Sequence, residues 1–392
     1  MQQPSIILIN CPLYVTPYLK TEVEALGYTI TWEHPNGVEI KGTMNDCIRL
    51  NYFLRSASKV LWMIKKVKAA DANELFNKVS EVPWENYLRK DEQFAVTSFT
   101  RNGTINTTLY TNLKCKDAIV DRFRRKFGYR PDSGSERTGA VIFVFWDNND
   151  VSLYLDTSGV SLNKRGYRKY PFAAPMQENL AAGVIMAAEW DMNSTFVNPM
   201  CGSGTFAIEA ALMALNRYPG YLRKEFSFQH FKDYNEEEYY RELDNENTLK
   251  AKSHLDFKII ATDIHPDAIK DAKLNAEAAG VSEFIDFVEC SVEGTPVPDE
   301  KGIVIMNPPY GDRMGGGDDE LIELYKTIGN FMKRKCSGYK GFVFTGNLEA
   351  AKFIGLKPKR KIRFMNAQID CKLFGYDLYA GKKYQETKNE QD

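Results

Sequence analysis

Residues 302–311 read Gly-Ile-Val-Ile-Met-Asn-Pro-Pro-Tyr-Gly, an apolar run that passes directly into a rigid polar-aromatic turn. A short apolar run that stops at turn residues fits a buried strand. In an open α/β sheet, ligands bind just beyond the carboxyl ends of the strands, so this turn falls in a candidate active site. Its residues suit the holding of a flat base. Asn307 offers a side-chain carbonyl, and Pro308 a main-chain carbonyl with no N–H of its own. Each proline confines the residue before it to extended conformations. Tyr310 offers a ring on which a base can stack.

Around this run, strands and helices alternate from about residue 165. Thr195–Asn198, Ile259–Asp263, Phe284–Val288, Gly302–Met306 and Gly341–Thr345 read as strands. Thr205–Leu215, Pro266–Ala279 and Glu320–Lys333 read as helices, and Ile362–Ile369 with Leu373–Ala380 as a closing antiparallel hairpin. This order predicts a doubly wound, mostly parallel sheet covered on both faces.

The first strand continues into Asn198-Pro199-Met200-Cys201-Gly202-Ser203-Gly204-Thr205. Gly202 and Gly204 permit a tight turn and a close ligand approach, with a helix N-terminus behind them. Alone, the glycine pair is equally consistent with a structural turn. It lacks the third glycine of a dinucleotide fingerprint and the Gly-Lys-Ser/Thr of a phosphate loop, which disfavours NAD and ATP. Asp263 ends the next strand, where a carboxylate can accept both hydroxyls of a ribose. The plainer alternative for Asp263 is an N-cap for the helix that starts near Pro266. The glycine turn and the Asn-Pro-Pro-Tyr turn on other strands favour the ribose.

A chain of 392 residues implies two or three domains. With 43% apolar and 26% charged residues it has an ordinary globular composition, and its net charge of -1 leaves nucleic-acid binding to local patches. Cysteines at 11, 47, 115, 201, 290, 336 and 371 form no C-x-x-C pair, which predicts reduced thiols in a cytoplasmic protein and no zinc site. The start, Met1-Gln2-Gln3-Pro4, reads as neither signal peptide nor membrane span.

Residues 1–60 read as a small strand and helix module, and residues 61–160 as a second one with a helix growing basic toward Lys126. The basic, aromatic stretch 161–172 marks a boundary. Residues 217–255 interrupt the alternating pattern with aromatics and an acidic middle, and are expected to be a helical insertion with a solvated face.

The glycine turn, Asp263 and the Asn-Pro-Pro-Tyr turn together resemble a class I S-adenosylmethionine-dependent methyltransferase of the amino-methylating branch. Residues 164–180 (KRGYRKYPFAAPMQENL), 198–211 (NPMCGSGTFAIEAA) and 307–313 (NPPYGDR) resemble the large-subunit ribosomal RNA guanine-N2 methyltransferases of the RlmL type. The resemblance implies a Rossmann-like domain over 165–385, with the insertion at 217–255. It also implies a ferredoxin-like segment over 1–60 and a THUMP RNA-binding domain over 61–160. The cofactor it implies is S-adenosyl-L-methionine, bound by Asn198, Met200, Gly202, Gly204, Thr205, Asp263, Ile264, Ser291 and Asn307. Asn307, Pro308 and Tyr310 would hold the target base. Two positions depart from the family: Asn198 stands where it has Asp, and an acidic residue is usual near Ser291.

The implied reaction is methyl transfer from S-adenosyl-L-methionine to the exocyclic N2 amine of a guanine in 23S ribosomal RNA, the base being flipped out of its helix. Rival readings are a tRNA guanine-N2 enzyme, a DNA adenine-N6 enzyme, and a non-catalytic RNA-binding assembly factor. RNA contact is expected at three basic clusters. These are Arg122, Arg124, Arg125, Lys126 and Arg130; Lys164, Arg165, Arg168 and Lys169; and Lys357, Lys359, Arg360, Lys361 and Arg363.

Overall fold

The computed structural model describes residues 3–105, 107–170, 176–232, 234–237, 240, 243–244, 250–311 and 318–379. The chain forms two compact units, the first made of residues 1–165 and 218–250. In chain order it contains β1 (Ser5–Asn10), α1 (Thr16–Ala25), β2 (Ile30–His34), β3 (Gly37–Gly42), α2 (Met44–Phe53), β4 (Lys59–Lys68) and α3 (Ala72–Ser80). It continues with β5 (Phe94–Arg101), α4 (Thr108–Phe127), β6 (Ser133–Gly134), β7 (Ala140–Asp147) and β8 (Asp150–Asp156). One eight-stranded sheet, in the order β2-β3-β1-β4-β8-β7-β5-β6, runs through the unit.

Local chemistry sets the helix starts. The Asp46 carboxylate accepts the Thr43 N–H at 2.7 Å ahead of α2, and Asp71 accepts from Asn73 and Glu74 ahead of α3. Gly128, at φ +72°, ends α4.

The stretch after residue 217 departs from expectation. Its described part starts with short 3₁₀ turns at Pro219–Leu222 and Ser227–His230, where Phe226, Phe228 and Phe231 are buried in the core, whereas Glu236, Glu237 and Asp244 farther on are helical and exposed, as expected. The rings of Tyr221 and Phe226 lie 5.0 Å from that of Tyr52 on α2, and Phe228 lies 6.2 Å away. This aromatic packing, more than a helical period, determines where the segment lies.

The second unit comprises residues 166–217 and 251–392. It contains α5 (Glu178–Ala187), β9 (Thr195–Pro199), α6 (Thr205–Ala214), β10 (Ile259–Asp263), α7 (Pro266–Ala278), β11 (Ile285–Glu289) and β12 (Gly302–Met306). It ends with α8 (Asp318–Lys335), β13 (Lys340–Thr345), β14 (Arg360–Asn366) and β15 (Ile369–Asp377). Its seven-stranded sheet runs β11-β10-β9-β12-β13-β15-β14. The first five strands are parallel, and β15 joins β13 antiparallel. Every residue of β9 and β10 is buried, as parallel strands covered on both faces require. All of α6 is buried too. The closing hairpin turns at Ala367 and Gln368, several residues earlier than its apolar pattern suggests, with Asn366 paired to Ile369 and Ala367 at φ +54°. Helix α5 had no counterpart in the sequence reading.

Candidate active site

From β9 the chain moves outward to β10 and β11, then returns to β12 on the other side of β9. That reversal is the switch point at which open α/β sheets leave a crevice at their carboxyl edge. The three parallel strands therefore bring the glycine turn, Ile264 and the Asn-Pro-Pro-Tyr turn to one edge.

Asn198 ties two of these strands together. Its Nδ2 donates to the Ile305 carbonyl at 2.9 Å, whereas its Oδ1 is buried with no hydrogen-bond partner. An aspartate could not make that donation, so asparagine here fastens β9 to β12. The chain then turns through left-handed backbone at Met200, Gly202 and Gly204, with φ values of +55°, +53° and +80°. A Cβ on Gly202 would meet nothing within 4 Å, which leaves open space beside the turn.

The Asp263 carboxylate links two loops. Its Oδ2 accepts the Gly202 N–H at 2.9 Å, and its Oδ1 accepts the His265 N–H at 3.1 Å. His265, not Asp263, is the N-cap residue of α7. Ile264, next in line, is 62% exposed, an aliphatic surface without a cover. Ser291 is exposed, and its Oγ accepts the Gly294 N–H at 3.3 Å.

In the turn after β12, the Tyr310 hydroxyl donates to Asn307 Oδ1 at 2.8 Å. Burial pushes that phenol's pKa well above its ordinary value, so it stays protonated. One lone pair of the Asn307 carbonyl remains for another donor. Pro308 is buried and Pro309 exposed.

The site also recruits residues to which the sequence assigned no part in cofactor binding. Arg168 donates to Thr205 Oγ1 at 2.9 Å and to the Met176 carbonyl at 2.6 Å, and lies 3.5 Å from the Glu178 carboxylate. Its Nε is buried without a partner. Asn275 of α7 accepts the main-chain N–H groups of Lys169 and Tyr170 and donates to the carbonyls of Tyr170 and Ser203. It thus holds the 169–170 segment against the glycine turn.

The basic clusters need correction. Arg165 is 1% exposed and donates to the carbonyls of Leu162 and Arg55, so it cannot reach a phosphate. Arg168 is committed as described above. Arg122 and Lys126 both pair with Glu85, Lys359 pairs with Asp377, Arg360 with Glu189, and Arg363 with Asp370. Internal carboxylates use these charges at least in part. Arg124, Arg125, Arg130, Lys164, Lys169, Lys357 and Lys361 are exposed.

Residues 165–374, more than half of the sequence, match the family described as RMKL-like, methyltransferase domain. The chain belongs to this family. Residues 69–156 also match the THUMP domain, and residues 7–61 the RlmL ferredoxin-like domain. The RMKL-like architecture is therefore a ferredoxin-like and THUMP region followed by a Rossmann-like class I methyltransferase domain.

Among similar curated proteins are two named ribosomal RNA large subunit methyltransferase K/L. The one from Syntrophotalea carbinolica is 34% identical, over 96% of this chain and 54% of its own length. The one from Psychromonas ingrahamii is also 34% identical, over 93% of this chain and 49% of its own. This RMKL-like chain thus spans about half the length of the curated relatives it matches.

Similar solved structures include a candidate methyltransferase crystallised with SAH, at 26% identity and a TM-score of 0.87, covering 97% of this chain and 100% of that one. Another is a predicted N6-adenine-specific DNA methylase from Listeria monocytogenes, at 30% identity and a TM-score of 0.84, covering 96% of this chain and 97% of that one. Among the described residues, no helix is long and apolar enough to cross a membrane.

Proposed function

We propose that this protein transfers a methyl group from S-adenosyl-L-methionine to the exocyclic N2 amine of a guanine in large-subunit ribosomal RNA. The observation that carries this reading is the Asp263 carboxylate bound to the Gly202 N–H, whose loop follows β9, the strand next to the one that ends in the Asn-Pro-Pro-Tyr turn. A donor site and an acceptor site then share one sheet edge. The K/L relatives, although longer, support ribosomal RNA as the substrate.

The residues present suit the cofactor. The orphaned Asn198 Oδ1 fits an ammonium, and the orphaned Arg168 Nε with the start of α6 fits a carboxylate. Open space at Gly202 accommodates the chain between them. Asp263 retains lone pairs for ribose hydroxyls, and exposed Ile264 suits one face of an adenine. When bound, S-adenosyl-L-methionine supplies a methyl group already activated on a sulfonium.

The protein's own task is the acceptor. An aromatic amine is a weak nucleophile because its lone pair is delocalised into the ring. Acceptance of its two N–H groups by the Asn307 side chain and the Pro308 carbonyl favours a tetrahedral nitrogen with its lone pair aimed at the donor. The same two oxygens stabilise positive charge that develops there. The Tyr310 ring holds the base by its face. The alkylated ammonium is acidic and needs no strong base.

The test combines a deletion strain with a point variant. N2-methylguanine should disappear from one large-subunit RNA position in nucleoside mass spectrometry of the deletion strain. Asn307→Ala should fail to restore it, while binding S-adenosyl-L-methionine within about twofold of wild type. Unchanged N2-methylguanine would overturn the reading. A missing N6-methyladenine would redirect it to adenine, in line with the name of the Listeria relative.

A further inference from the structure

The turn after β13 lies beside the Asn-Pro-Pro-Tyr turn, because β12 and β13 are adjacent parallel strands. We infer that Asn347 in this second turn is a positioning residue for methyl transfer, holding the 307–311 loop in its base-binding shape. The inference rests on the functional reading above and extends it to residues that no motif marks.

Four contacts carry it. Asn347 Nδ2 donates to the Tyr310 carbonyl at 2.9 Å. The buried Thr345 hydroxyl accepts the Asn347 main-chain N–H at 3.0 Å and lies 2.6 Å from the Tyr325 hydroxyl. That phenol also donates to the Pro309 carbonyl at 3.3 Å. Two consecutive carbonyls of a loop that cannot brace itself through prolines are therefore held from the neighbouring elements.

Gly346 completes the arrangement. A Cβ there would lie 2.6 Å from Ile369 and 3.0 and 3.1 Å from ring atoms of Tyr310, so any side chain would displace Ile369 and push on the ring. With the main chain of Tyr310 tied to Asn347 and its hydroxyl tied to Asn307, the ring has little freedom to tilt. A stacking surface and an acceptor carbonyl are thereby fixed relative to each other. Small displacements of positioned groups lower rates steeply.

Asn347 has a second, purely structural bond: its Oδ1 accepts the Ala350 N–H at 2.8 Å. Asn347→Asp keeps that acceptor and removes the donor to Tyr310, which separates the two roles. We expect turnover on RNA lacking the modification to fall about ten- to a hundredfold, with cofactor affinity within about twofold and the melting temperature little changed. Chymotryptic cleavage after Tyr310, whose carbonyl loses its donor, should accelerate in the folded variant. Wild-type turnover, wild-type cleavage, or a parallel loss of cofactor affinity would each overturn the inference. If the wild-type protein transfers no methyl group, the functional reading fails, and the cleavage measurement alone then decides the positioning role.

Discussion

A Cβ placed on Gly204 would lie 2.9 Å from the Cβ of Ala272 on α7, whereas one on Gly202 would meet open space. The two glycines of one turn therefore have different duties. Gly204→Ala combines a left-handed backbone at φ +80° with an overpacked helix contact, and should cost about 2–4 kcal/mol of stability. Gly202→Ala has only the backbone strain, about 1–2 kcal/mol, yet its methyl group enters the space assigned to the cofactor. Its affinity for S-adenosyl-L-methionine should fall at least about tenfold, which equals about 1.4 kcal/mol. Urea unfolding and calorimetric titration of both variants check the contrast, which fails if the two respond alike.

Asp263 provides a second separation. Asp263→Ala leaves the N–H groups of Gly202 and His265 without their acceptor, at a cost of about 1–3 kcal/mol. Asp263→Asn keeps one acceptor oxygen and should recover about half of that stability. Both variants lose the charge offered to ribose hydroxyls and should bind S-adenosyl-L-methionine weakly. Recovery of cofactor affinity along with stability in Asp263→Asn would remove the ribose role.

Much of the second unit was legible in the sequence because its signals are local. Apolar runs ending at glycines, prolines or an aspartate marked β9, β10 and β12 to within a residue, and with them the three loops of the site. Helix α5 escaped notice because Asn179–Ala187 is buried almost all round and shows no polar face to give a period. Asn275 and Asn347 carry no local signal, since their partners lie as far as 106 residues away in sequence. Arg168 looked like one member of a basic run, and only its fold-brought contacts with Thr205 and Glu178 give it another role. The burial of Phe226 and Phe228 after residue 217 was missed for the same reason: their packing partner, Tyr52, lies far upstream.

Glu85 makes the first unit sensitive to acid. The Arg122 guanidinium, with Lys126 beside it, holds this carboxyl at about 2, below its ordinary 4.5. A carboxyl with a depressed folded-state pKa contributes stability that is complete above the unfolded value. That stability fades as pH falls from about 4.5 toward about 2. Solvent screening reduces it to about 1 kcal/mol. Glu85→Gln should therefore lower unfolding free energy by about that amount at pH 7 and by progressively less toward pH 3. An equal loss at both pH values would rule out the charge as the cause.

Arg223 fastens the returning segment of the first unit. Its guanidinium donates to the carbonyls of Ser158, Val160, Ser161, Lys164 and Glu225. It also lies 4.8 Å over the ring of Phe226. No local signal would hold residues 158–164 beside residues 223–226, so this one side chain replaces missing secondary structure. Methionine preserves the aliphatic stem but leaves these carbonyls without their charged donor, a loss of about 3 kcal/mol. Lysine offers a single point charge instead of a planar fork and should recover less than half. Four of the five tryptophans, Trp32, Trp62, Trp84 and Trp146, lie in this unit, so tryptophan fluorescence reports mainly its unfolding. The urea midpoint should fall in the order wild type, Arg223→Lys, Arg223→Met. If Arg223→Met unfolds at the wild-type midpoint, the segment is held by its aromatic packing on Tyr52 alone.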